Sequence, residues 1–145
     1  MVARSKPNDL EHRSFRLPRR LLGEIKRRAE RRGVSQTTLV ERYLEEGIRM
    51  DEHPLIVFRD SPLGRRAMLA GSRLEVSQVI ATIRNSGDSL DDAAEYLDLP
   101  VARVRACLSY YAAYQREVDA YAAETAAASA EAERAWRREQ DLIGA

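Results

Sequence analysis

Among its 145 residues the chain has one cysteine, Cys107, and two histidines, His12 and His53. A lone thiol closes no internal disulfide, and residues this scattered make no metal-ligand cluster at usable spacing. A reduced, cytoplasmic setting is the expectation. No apolar run approaches the ~20 residues that span a bilayer, and charges stand near Met1 where a signal peptide would be apolar, so no membrane partner is expected. Phosphate-binding and catalytic patterns are missing too. "SPLGRRAMLAG" has two glycines and two arginines but not the spacing or Lys-Ser/Thr ending of a P-loop, and reads as a turn with Arg65 and Arg66 exposed. Asp91 and Asp92 are adjacent and cannot share a helix face as an acid/base pair; they suit the positive end of a helix dipole. Cys107, among Val104, Leu108 and Tyr111, reads as a small core residue rather than a nucleophile. Neither catalysis, nor a cofactor, metal or small-molecule substrate, is expected.

What the chain does have is charge sorted by position. The net charge is only +1, yet residues 1–33 hold eleven Lys/Arg against four Asp/Glu, and residues 86–145 hold six against twelve. A basic head suits a polyanion such as nucleic acid, because neutralising phosphates releases counterions; an acidic tail suits a basic protein or plain solvation. A chain this short makes one domain or two small ones, and neither half buries a large core alone, so oligomerisation is expected.

Pattern divides the chain into four parts. Residues 1–11 are polar and read as a flexible arm. Residues 12–50 read as a strand followed by two helices, and "MDEHP", Met50 to Pro54, breaks the helical pattern. Within 51–121, β-like runs at Leu55 to Phe58, Ala67 to Leu69 and Leu74 to Val76 read as a small meander, after which helical signals dominate. Residues 122–145 are alanine-rich and read as a helix or tail.

In "HRSFRLP", Phe15 and Leu17 share one strand face, while His12, Ser14 and Arg16 share the other. Pro18 suits a first helical turn, Leu21, Leu22, Ile25 and Ala29 recur at helical spacing, and Gly33 suits a left-handed C-cap. Ser35 is the expected N-cap of a second helix carrying Leu39, Val40, Tyr43 and Leu44 inward. One strand without a partner leaves its backbone groups open, and the economical remedy is the same strand of a second copy around a two-fold axis.

Over residues 12–49, "SFRLPRRLLGEIKRRAERRGVSQTTLVERYLEEGI" and its preceding residues resemble the ribbon-helix-helix family of prokaryotic DNA-binding proteins. The resemblance implies a homodimer whose two-stranded ribbon enters the major groove, with His12, Ser14 and Arg16 reading bases and Ser35, Gln36 and Thr37 clamping phosphate. Phe15, Leu17, Leu22, Ile25, Leu39, Val40 and Tyr43 would then form the dimer core.

Further on, "SLDDAAEYLDLPVARVRACLSYY" reads as a helix-turn-helix capped at Ser89, more a structural pair than a second reading head despite Arg103 and Arg105. From about Leu55 to Tyr121 the chain resembles a small antitoxin domain found with PIN-like ribonuclease toxins; Glu75 stands where that domain has Pro. Together the two resemblances are those of a VapB-like antitoxin. They imply a mainly α fold: a ribbon-helix-helix dimer, then a β-meander with helix-turn-helix, then a long C-terminal helix. Implied partners are operator DNA, a PIN-like ribonuclease toxin and a second copy, with a tetramer left open; antitoxin tails further imply toxin-binding by Trp136, Arg137, Arg138 and Leu142. A repressor without a toxin and a scaffold protein with a basic face are the alternatives. Tyr110, Tyr114 and Tyr121, at spacings of four and seven, are expected on one helix face as a core seam, with Tyr111 turned away.

Overall fold

A computed structural model describes residues 9–144. The described residues form six helices and one two-stranded antiparallel sheet, in the order α1 (Arg19–Arg32), α2 (Gln36–Glu52), β1 (Ile56–Ser61), β2 (Gly64–Leu69), α3 (Val76–Asn85), α4 (Leu90–Leu97), α5 (Val101–Ala113) and α6 (Gln115–Ile143). The fold is mainly helical. Two compact units divide between Tyr43 and Leu44, inside α2.

In the first unit residues 9–18 have no regular structure, so the expected strand at 12–17 is not formed in the single chain. The physical reason is that a strand exists only through a ladder, and among the described residues no second strand lies beside this one. Pro18 stands just before α1, and Gly33 ends it with φ 65°, a left-handed conformation that costs glycine nothing; Val34 N–H then donates to Ala29 O at 3.1 Å. Ser35 opens α2 by accepting from Thr38 N–H at 3.0 Å. Between the helices only Ile25, Ala29 and Leu39 are buried among the described residues of this unit.

In the second unit α2 continues to Glu52, two residues beyond Met50, where the pattern was expected to break; only after Glu52 does the chain leave the helix. β1 and β2 pair from Ile56↔Leu69 to Ser61↔Gly64 around Pro62 and Leu63. The expected third run of the meander is not a strand. Glu75 makes a single bridge to Met68 and then caps α3, its side chain and that of Gln78 closing a reciprocal capping box. Ser89 caps α4 by accepting from Asp92 N–H at 3.1 Å, with Asp91 and Asp92 in the first turn, and Asp98 ends it at φ 53° before Leu99 and Pro100 lead into α5.

The core of this unit gathers Ile56, Ala67 and Leu69 from the hairpin, Val76, Val79, Ile80 and Ile83 from α3, Ala93 and Ala94 from α4, and Val104, Cys107, Tyr110, Tyr111 and Val118 beyond. Cys107 is fully enclosed there, and burial pushes its thiol up to about 12. The chain breaks between α5 and α6 at Tyr114, so Tyr110, Tyr114 and Tyr121 do not share one continuous helix. Tyr111, expected to be turned away from that face, is buried as Tyr110 is.

Candidate nucleic-acid interface

Alternation along residues 12–17 separates two sets of side chains. His12, Ser14 and Arg16 are exposed, with His12 Nε2 3.1 Å from Ser14 Oγ. On the opposite parity Phe15 is 80% exposed and Leu17 40% exposed, high values for large apolar groups. Leu17 lines a groove of about 250 Å³ with Leu22, Ile25, Gln36, Thr37, Val40 and Glu41. Of the residues expected in a dimer core, Ile25 and Leu39 are buried within the single chain; Leu22 and Tyr43 are exposed and Val40 is half-buried.

Around this apolar surface the charge is positive. Arg19, Arg20, Lys26, Arg27, Arg28, Arg31 and Arg32 of α1 are all exposed, Arg20 pairing with Glu24 at 2.6 Å. Ser35, Gln36 and Thr37 are exposed at the start of α2, where unpaired N–H groups give any helix a positive end. Ser35 Oγ is engaged, since it caps Thr38 N–H and donates to Thr38 Oγ1 at 2.8 Å, so an anion would meet this turn mainly through the backbone and through Gln36 and Thr37.

The cations of the second unit are arranged differently, and residue patterns did not reveal it. Arg65 and Arg66 are not an exposed turn: both lie in β2 and alternate to opposite sides of the strand. Arg65 forks onto Glu46 of α2 at 2.7 and 2.9 Å, and that bonding raises its pKa. Arg66, 3% exposed, bonds Glu124 of α6 at 2.5 Å and lies 4.1 Å from the centre of the Tyr121 ring; its Nε has no hydrogen bond, Glu75 standing 3.9 Å away. Arg49 bonds Glu117 at 2.5 Å, Tyr110 Oη at 2.9 Å and Glu45 at 2.5 Å, and covers the Tyr114 ring at 4.0 Å. Burial alone would lower the Arg49 pKa, but the bonds to Glu117 and Tyr110 more than reverse this. Arg103 donates to the Ala70 carbonyl, leaving no such cation for a groove reader at that position of α5. Of these contacts of Arg49, Arg65, Arg66 and Arg103 with Glu45, Glu46, Glu117, Glu124, Tyr110 and Ala70, the i,i+4 pair Glu45–Arg49 alone carries a local sequence signal; the others join positions 19 to 68 residues apart.

In α6, Trp136 is 58% and Leu142 83% exposed, while Arg137 pairs with Glu133 at 2.5 Å and Arg138 with Glu131 at 3.2 Å. No group of three or more His, Cys, Asp or Glu that could hold a metal ion occurs among the described residues, and no helix among them is long and apolar enough to cross a membrane. Comparison with protein-family models, curated proteins and solved structures finds no match to this chain.

Proposed function

We propose that this chain binds operator DNA as a homodimer through a ribbon made by residues 12–17 of two copies, represses its own operon, and neutralises a PIN-like ribonuclease toxin as a VapB-like antitoxin. The observation that carries the DNA-binding half is the arm itself. A segment whose sequence sets apolar Phe15 and Leu17 between polar His12, Ser14 and Arg16, all of them exposed, next to a helix of exposed arginines, needs an apolar partner for one set and suits phosphates and bases with the other. A unit that buries three residues is far below what an independent fold needs, and a second copy supplies the missing core without any other partner. Arg16 is the group suited to a bidentate contact with guanine, and the start of α2 at Ser35, Gln36 and Thr37 is suited to phosphate.

The toxin half rests on the resemblance of residues 55–121 and on the exposed Trp136 and Leu142, flanked by Arg137 and Arg138. An arginine offered to a carboxylate-lined metal site would compete for its negative charge. A repressor without a toxin is the second reading, favoured by the pairs that Arg137 and Arg138 already make within α6, although exposed pairs of this kind exchange at little cost.

The test is selection of bound duplexes from a randomised pool, followed by mobility shifts with the Arg16→Ala variant. Loss of a bidentate base contact should remove about 1–3 kcal/mol of discrimination and leave the dimer intact. Unchanged affinity and unchanged ranking of duplexes would remove the ribbon as the reading head. Copurification of the chain with the product of the adjacent gene separates antitoxin from plain repressor.

A further inference from the structure

Helix α6 runs for 29 residues, yet Val118 is the one residue it places in the core of the second unit. Tyr121, Thr125 and Ala128 follow Val118 at helical spacing and are half-buried, and the residues between them are exposed. Beyond its first turns α6 therefore gains little from apolar contact, and an alanine-rich helix draws little stability from propensity alone.

That thinly packed stretch nevertheless buries a charge. Arg66 of β2 is 3% exposed, and both groups that answer its charge most directly belong to α6: Glu124 accepts from Arg66 Nη2 at 2.5 Å, and the Tyr121 ring lies 4.1 Å from the guanidinium carbon. The rest of the unit offers less. Arg66 Nη1 donates to the Arg65 carbonyl at 3.2 Å, and Glu75 stands 3.9 Å from Arg66 Nε, its carboxylate engaged in the α3 cap and accepting from Ser77 Oγ at 3.3 Å. Two polar atoms are sealed without a protein partner, Arg66 Nε and Thr125 Oγ1. Docking of α6 thus encloses a cation against one bonded carboxylate and leaves two groups unsatisfied; lifting the helix would let water reach all of them.

A guanidinium that loses its carboxylate is costly only while it stays buried. Here the element that buries it is a helix that adds one residue to the core, so the cover can leave while the core stays. We propose that α6 beyond Val118 is a strap that opens and closes on the second unit while the core remains folded, and that Glu124 is its catch. With the carboxylate in place the closed form holds Arg66. Without it the closed form contains a poorly compensated charge, and the open form, in which Arg66 meets water, takes over. This device is independent of the DNA-binding and antitoxin readings.

Thiol labelling of the full chain under native conditions reads strap and core together. Cys107, fully buried, reports opening of the core, and Thr125→Cys places a second thiol where the native hydroxyl is sealed by the closed strap. The thiol at 125 should label at least about tenfold faster than Cys107 but more slowly than a free thiol. Adding Glu124→Gln should speed labelling at 125 by about tenfold or more and leave Cys107 unchanged. Adding Arg66→Met to that chain should slow labelling at 125 back towards the Thr125→Cys rate, because no buried charge is left to compensate. Equal rates at 107 and 125 would mean that α6 opens only with the core, and a free-thiol rate at 125 would mean that it never closes; either overturns the proposal. So does a Glu124→Gln effect that speeds Cys107 equally or that Arg66→Met leaves untouched.

Discussion

The two units handle arginine in opposite ways. In the first, Arg19, Arg27, Arg28 and Arg31 of α1 are exposed, three residues are buried among the described ones, and the large apolar groups Phe15 and Leu22 stand exposed. In the second, Arg49, Arg65, Arg66, Arg84 and Arg103 all bond protein oxygens, three of them over tyrosine rings, around a core closed from six elements. A guanidinium whose donors and ring face are already occupied is a structural part; one held out on a helix is available to a ligand. Composition alone does not separate these cases. The second unit thus closes a core within one chain, although Trp136, Leu142 and Ile143 of α6 stay exposed, while the first leaves both its apolar and its cationic surface open.

The sharpest way to break that contrast is to damage the closed core. Leu69→Ala, at a fully buried position, should cost about 2–5 kcal/mol. Calorimetry should show that loss in a transition whose midpoint ignores protein concentration, while the transition assigned to the first unit rises with concentration. Concentration dependence in both transitions, or in neither, would erase the distinction.

A smaller effect is expected at the network of Arg49. Tyr110→Phe keeps the ring and removes hydrogen bonds to Arg49 and Glu117, and should cost about 1.5–3 kcal/mol in urea unfolding. The Tyr110 pKa is raised, chiefly by burial. A raised folded value means the phenol's contribution is complete below its unfolded pKa of about 10 and is lost as pH climbs towards the folded value. Wild-type stability should therefore fall more steeply above that pH than stability of the Tyr110→Phe variant; parallel pH profiles would mean that the phenol ionises as freely in the fold as out of it.

Smaller again is the cap of the open unit. Ser35→Ala removes the acceptor for Thr38 N–H and should cost about 1 kcal/mol, read as a lower midpoint of the concentration-dependent transition alone. A shift in the other transition would show that the units do not melt separately.

Features whose chemistry is local could be read from residues. Gly33 at φ 65°, Ser35 capping Thr38, Ser89 capping Asp92 and enclosed Cys107 each follow from a residue type and its near neighbours. What escaped depends on distance or on absent partners. Arg66 looked like a turn cation because its partner Glu124 lies 58 positions away. The break at Tyr114 carries neither glycine nor proline, and without it the tyrosine spacing implied a single face. Leu74 to Val76 had a strand's composition, but Glu75 with Gln78 closes a helix cap, a local bond that outweighs weak strand propensity. Residues 12–17 had the alternation of a strand, yet alternation makes a strand only where a second one lies alongside.

That last point fixes the decisive measurement. Sedimentation of wild type and Phe15→Asp, with mobility shifts on the selected duplexes, asks whether the open unit is completed by a second copy. Placing an unpaired carboxylate where the seam would close costs several kcal/mol, more than a small interface can lose. The account predicts that ribbon-mediated association and DNA binding disappear together while the concentration-independent transition is unchanged. A Phe15→Asp chain with wild-type association and wild-type affinity for those duplexes would contradict it.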